Sequence, residues 1–201
     1  MANLIKWYMI STMRGKEEQV IESLNNRIEA ENLLYDFDLN ANNGSAFKLF
    51  QKPTLTRREW QKKEDGEPYK IKKVNLYPGY IFAKMHMSDE AWYLIRNTQY
   101  VTGLIGSSGK GAKPTPVSIL EIKKMFEQEK EFWRAFEAGE NVFGFTKGDL
   151  VEIIDGLYIG KEGEILSINS NENTVTLKTE GYGKEIEVTL SMEIIRNVKE
   201  N

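Results

Sequence analysis

The chain has 201 residues, 40% of them hydrophobic and 28% charged, with a formal net charge of −3, enough for one medium core and one small one. It has no Cys, which excludes disulfides, thiolate zinc sites and a cysteine nucleophile; its single His, His86, excludes an imidazole metal cluster and a His–His proton relay. The opening MANLIKWYMIST lacks the apolar core of a signal peptide, and no run of about 18 apolar residues occurs, so the reading is a cytoplasmic protein with no membrane span.

In chain order, KWYMIST (Lys6–Thr12) reads as a buried strand. Residues 16–31 read as a helix, because Val20, Ile21, Leu24 and Ile28 form one stripe. Residues 36–46, rich in Asn, Gly and Asp, read as a loop or insertion. Residues 47–51 read as a strand ending near Pro53, and 54–73 as a polar, solvated hairpin around Glu64-Asp65-Gly66. Residues 80–87 are a strand, with Ile81, Ala83, Met85 and Met87 on one face and Tyr80, Phe82, Lys84 and His86 on the other. Ser88 caps a short helix whose apolar surface is Trp92, Leu94 and Ile95, and residues 101–105 form another strand. The segment after it carries Gly109-Lys110 but lacks the spacing and hydroxyl of a phosphate-binding loop, so it reads as a flexible loop. Ser118 and Glu121 have capping-box spacing and open a helix to about residue 138, with Ile119, Ile122, Phe126, Trp133 and Phe136 as its stripe and Gly139 as its stop.

From 145 onward, short alternating strands are separated by Gly, Asp and Asn turns, the pattern of a small barrel. Gly148, Gly156 and Gly163 are placed at its corners. This part carries six Lys/Arg against eleven Asp/Glu, while the first 144 residues carry 21 against 19. An acidic barrel is repelled by phosphate, so it is read as docking on protein. The fold class is therefore an α+β N-terminal domain, an antiparallel sheet with flanking helices, joined to a small all-β barrel. Residues 1–138 form the first domain, with an insertion at 36–46; 139–145 form the linker and 146–201 the barrel.

FTKGDLVEIIDGLYIGKEGEILSI resembles the KOW domain. KWYMIST, LYPGYIFAKM, SDEAWYLIRNTQYVTGLIG and GAKPTPVS, in that order ahead of it, resemble the N-terminal domain of the NusG family of bacterial transcription elongation factors. The resemblance implies a monomer without catalytic activity, cofactor or metal. It implies that the N-terminal domain binds the clamp helices of the largest RNA polymerase subunit through Trp7, Tyr77, Pro78, Tyr80 and Phe82. Core packing is the competing reading of these aromatics, equal in weight for Trp7. The resemblance also sets Arg96, Asn97 and Thr98 beside the non-template DNA strand; the competing reading is that Asn97 and Thr98 end the Trp92 helix. Finally, it implies that Tyr158, Ile159 and Tyr182 on the barrel bind Rho or a small-subunit ribosomal protein. Two alternatives stay open: a specialised antitermination paralogue whose barrel packs on the N-terminal domain, and a ribosome-associated RNA-binding protein, which the acidic barrel disfavours.

Overall fold

The computed structural model describes residues 4–107, 111–181 and 183–198. The elements are β1 (Lys6–Thr12), α1 (Glu17–Ala30), β2 (Phe47–Lys48), β3 (Gln51–Thr54), α2 (Arg57–Glu64), β4 (Lys72–Asn75), β5 (Tyr80–Met85), α3 (Asp89–Arg96), β6 (Val101–Leu104), α4 (Ile119–Glu137), β7 (Leu150–Ile153), β8 (Glu162–Asn169), β9 (Thr174–Gly181), β10 (Lys184–Ser191) and β11 (Ile195–Asn197). They fall into two compact units: unit 1 is 1–51 with 75–129, and unit 2 is 52–74 with 130–201.

Unit 1 is built on an antiparallel sheet of order β2-β5-β1-β6. Strand alternation gives it two faces. Tyr8, Ile10, Ile81, Ala83 and Met85 pack against Val20, Leu24 and Ile28 of α1 and Leu94 and Ile95 of α3, forming the larger core. Phe82 and Phe50 on the other face pack against Ile122 of α4, with Trp7, Met9, Leu76, Tyr77 and Met125 around them. Both helices foreseen from Ser caps are capped so. Ser88 accepts the Ala91 N–H at 3.0 Å; Ser118 Oγ accepts the Glu121 N–H at 3.2 Å while Glu121 Oε2 accepts the Ser118 N–H at 3.1 Å. Residues 36–46 are irregular but stapled to β5. Asp38 N–H donates to the Lys84 carbonyl at 3.0 Å, His86 N–H to the Asp36 carbonyl at 2.7 Å, and Phe37 and Ala46 enter the larger core.

Three expectations change. Residues 54–73 are not a simple hairpin: α2 rises from Thr56, whose side chain accepts the Glu59 N–H. Gly66, expected as the hairpin turn, is the left-handed residue that ends this helix, with φ +73° and the Glu67 N–H returned to the Lys62 carbonyl. Ile119 is 74% exposed rather than core, because it is the first residue of α4, a turn ahead of Ile122, where packing begins. Gly139 does stop α4, with φ +80° and the paired returns of Gly139 N–H to Phe136 and Glu140 N–H to Ala135.

In unit 2, β10-β9-β8-β7-β11 form an all-antiparallel sheet around Phe145, Val151, Ile153, Ile165, Val175, Leu177, Met192 and Ile195. The same unit contains the 52–74 segment. Leu55 donates its N–H to the Val142 carbonyl at 2.8 Å, Trp60 stacks on Phe143 with centroids 5.9 Å apart, and Arg57 donates to the Ile195 carbonyl at 2.5 Å. Burial of the Arg57 guanidinium pulls its pKa below the usual arginine value, the cost that its carbonyl partner offsets. Residues 141–145 are a tied turn: Asn141 bonds the Phe145 backbone through both its carboxamide groups, at 2.7 and 3.0 Å.

Gly148 and Gly156 turn at φ +87° and +88° as expected of corner glycines. Gly163 is the third change: it lies inside β8, where a Cβ would stand 2.9 Å from the Lys178 carbonyl oxygen and 3.2 Å from Thr179 Cβ. Close strand approach, not a turn, requires the glycine there. Gly163→Ala is accordingly expected to destabilise unit 2 by about 1–3 kcal/mol in denaturant titrations. A neutral result would show that β9 can give way.

Candidate functional site

Register brings the expected N-terminal contact residues onto one strip. Trp7 faces Lys84, Met9 faces Phe82 and Ser11 faces Tyr80 across β1 and β5. Phe50 is the hub beneath. Its ring lies 5.0 Å from Phe82, 5.0 Å from Phe126 and 6.1 Å from Tyr77, all edge-to-face, and Trp7 meets Phe126 at 6.0 Å. Such pairs are worth about 0.5–1.5 kcal/mol each beyond their burial. Phe82 is fully buried and touches only this cluster and its neighbours, so it serves as support beneath the surface. Trp7 and Tyr77 are half-buried; burial raises the Tyr77 phenol pKa, and its hydroxyl donates to Gln128 Oε1 at 3.3 Å. Pro78 and Tyr80 are exposed, Tyr80 by 37%. The sequence thus marks both the rim and part of its foundation.

The end of α3 divides in the same way. Arg96 is exposed, its guanidinium 5.1 Å from the Trp92 ring centroid. Asn97 is exposed and caps the helix, its Nδ2 donating to the Tyr93 carbonyl at 2.8 Å. Thr98 is buried: its hydroxyl donates to the Leu94 carbonyl at 2.8 Å and accepts from Arg27 of α1 at 3.0 Å. Arg96 and Asn97 therefore face solvent, and Thr98 locks α3 to α1.

On unit 2, the loop after β7 turns at Gly156 and is closed by Gly160 N–H on the Ile153 carbonyl at 2.7 Å. Tyr158 packs partly into the sheet core, within reach of Gly181, while Leu157 and Ile159 stand out at 79% and 64% exposure. Tyr182 lies outside the described residues.

The family model described as transcription termination factor nusG matches residues 5–126 of this chain. The chain belongs to the NusG family. The KOW motif model matches residues 147–178, within the antiparallel sheet of unit 2. The transcription termination/antitermination protein NusG of Streptococcus pyogenes serotype M1 is 32% identical over 184 residues, 92% of either chain. That of Lactococcus lactis subsp. lactis is 32% identical over 193 residues, 96% of this chain and 93% of the relative. A solved structure of Thermotoga maritima NusG, concerned with domain interaction in that protein, covers 98% of both chains at 26% identity and a TM-score of 0.42.

Two residues of these surfaces had no reading of their own in the sequence. Phe50 reads from the sequence only as part of a 47–51 strand; it lies instead between β2 and β3, and its ring enters the second core while that of Phe47 enters the larger one. Leu157 is more exposed than either flanking residue singled out, and its signal was an apolar triplet directly after an Asp-Gly turn. Among the described residues there is no group of His, Cys, Asp and Glu able to hold a metal ion, and no helix long and apolar enough to cross a membrane.

Proposed function

We propose that this NusG-family protein is a non-catalytic transcription elongation and termination/antitermination factor that joins two machines. Its N-terminal domain, 1–138, docks on the clamp helices of the largest RNA polymerase subunit through Trp7, Tyr77, Pro78 and Tyr80, with Phe82 supporting them from beneath. Arg96 and Asn97 run beside the non-template DNA strand, held in place by Thr98. Past the 139–145 connection, the KOW module presents Leu157, Tyr158, Ile159 and Tyr182 to Rho or to a small-subunit ribosomal protein. The observation that carries this reading is the exposed Tyr80 on a rigid, aromatic-backed strip, since amphipathic, pre-ordered Tyr is a favoured interface anchor. A factor of this kind needs no strong single contact, because holding the second partner on a tether raises its effective concentration.

The test is binding of the purified protein to RNA polymerase, beside Tyr80→Asp. The wild type is expected to bind, and the variant to bind about thirtyfold more weakly. Equal binding by both removes Tyr80 as anchor; binding by neither removes the open, freely docking factor and leaves the restrained paralogue or a ribosomal role, which isolated residues 1–144 separate. A specialised antitermination paralogue with a restrained KOW module is the second reading. It is favoured by one observation, that the 52–74 segment is tied to the module's own unit through Arg57 and Trp60.

A further inference from the structure

The Tyr77-Pro78-Gly79-Tyr80 segment is a type II turn. Pro78 holds the second position, Gly79 the third with φ +87°, and the Tyr80 N–H donates to the Tyr77 carbonyl at 3.1 Å. Type II and type I turns differ by a flip of the central peptide, here the one linking Pro78 to Gly79. The N–H of that peptide takes no part in the turn's own hydrogen bond and, being buried, must find a partner elsewhere. The partner is Glu17. Its Oε1 accepts the Gly79 N–H at 2.6 Å across 62 residues of sequence. The Gly79 carbonyl is held as well, by the Thr12 N–H at 2.8 Å. A Cβ on Gly79 would meet Arg14 Cγ at 3.2 Å and the Thr12 carbonyl oxygen at 3.4 Å, so the turn is pressed onto the corner between β1 and α1.

A simple helix-dipole role does not account for Glu17. Glu18 fills such a role in solvent, whereas Glu17 is 4% exposed. Burying a carboxylate is costly unless it is hydrogen-bonded. The bond it makes opposes the one peptide flip open to the turn and, together with the Thr12 N–H on the Gly79 carbonyl, pins the turn that leads into Tyr80 onto the corner between β1 and α1.

We propose that Glu17 is the positioning residue of the docking turn: its carboxylate, clamped on the Gly79 N–H, fixes the orientation in which Tyr80 is offered to RNA polymerase. The inference rests on the polymerase-docking reading above. It lowers the ordering cost of binding rather than adding a contact, since an anchor already held in its bound orientation loses less freedom.

The test uses the full chain as wild type, Glu17→Ala, Glu17→Gln, Tyr80→Ala and the Glu17→Ala/Tyr80→Ala double variant. Two quantities are read: exchange of the Gly79 amide by NMR, and affinity for RNA polymerase. Glu17→Ala is expected to speed Gly79 exchange at least tenfold and to weaken binding about fivefold. Glu17→Gln keeps an acceptor oxygen and should retain most of both. In the Tyr80→Ala background, Glu17→Ala should cost no further affinity. An equal loss in that background would mean that Glu17 acts by general stability, and undiminished Gly79 protection in Glu17→Ala would mean that the bond does not hold the turn; either overturns the proposal. Should Glu17→Ala not fold, Glu17→Asp, one carbon too short, takes its place with the same expectations. If the wild type does not bind polymerase, the open docking reading falls by itself, and Gly79 exchange with Tyr80 ring ordering decides the positioning role separately.

Discussion

Phe50→Ala is expected to destabilise unit 1 by about 3–5 kcal/mol, a large share of the roughly 5–15 kcal/mol that folded domains possess. Phe50 is 1% exposed and stands at the centre of three edge-to-face rings, those of Tyr77, Phe82 and Phe126. Its carbonyl also accepts the Leu76 N–H at 2.8 Å, so the backbone there is fixed and collapse into the void is hindered. Phe126→Ala is the control. Its ring is partly exposed and should cost about half as much, because less area returns to water. Denaturant unfolding of both variants checks the ordering. A Phe50→Ala penalty below about 1.5 kcal/mol would show that the cluster repacks, and that Tyr77 and Trp7 owe their positions to something else.

That cluster also marks how far sequence alone reaches. The alternation of β5 correctly separates Ile81, Ala83 and Met85 from Tyr80, Phe82 and Lys84. It does not say which element covers the second face. Ile122, Met125 and Phe126 of α4 do so some forty residues later, which turns Phe82 from a rim residue into a foundation. Thr98 fails for the same reason: its hydroxyl is taken by Leu94 nearby, which is local, and by Arg27 on α1, which is not. Local signals, where they exist, hold. Ser88, Ser118 with Glu121, and Gly139 all behave as their spacing requires. The signal for α2 was equally local but went unread. Thr56-Arg57-Arg58-Glu59 has the same spacing as the Ser118 box, yet no apolar stripe follows it to mark a helix, and the Glu64-Asp65-Gly66 turn signal reads as a hairpin. Gly163 shows the converse. A glycine's presence is visible in sequence, but whether it serves a positive φ or a close backbone neighbour depends on the strand beside it, here β9.

Ile165→Ala is expected to unfold the KOW module while leaving unit 1 folded. Ile165 is fully buried and faces Leu177 across β9; its N–H donates to the Asp149 carbonyl at 3.0 Å, and its carbonyl accepts the Gly148 N–H at 2.8 Å. Truncation of a buried Ile costs about 2–5 kcal/mol, and a core with eight buried apolar side chains among the described residues has little in reserve against that. Ile165→Val, at about 0.5–1.5 kcal/mol, should stay folded and serve as control. In NMR spectra the resonances of 146–198 should collapse while those of β1, β5 and α3 keep their dispersion; joint collapse would mean that the two units fold as one. The same variant separates the two functional readings. If the KOW module is tethered and open, Ile165→Ala loses Rho or ribosomal-protein binding and keeps its polymerase affinity within about twofold, because Tyr80 and its support lie wholly in unit 1. If the module instead restrains the polymerase-docking strip, unfolding it releases that restraint and polymerase affinity rises. The first outcome is the expected one, since the docking strip draws its support from unit 1 alone.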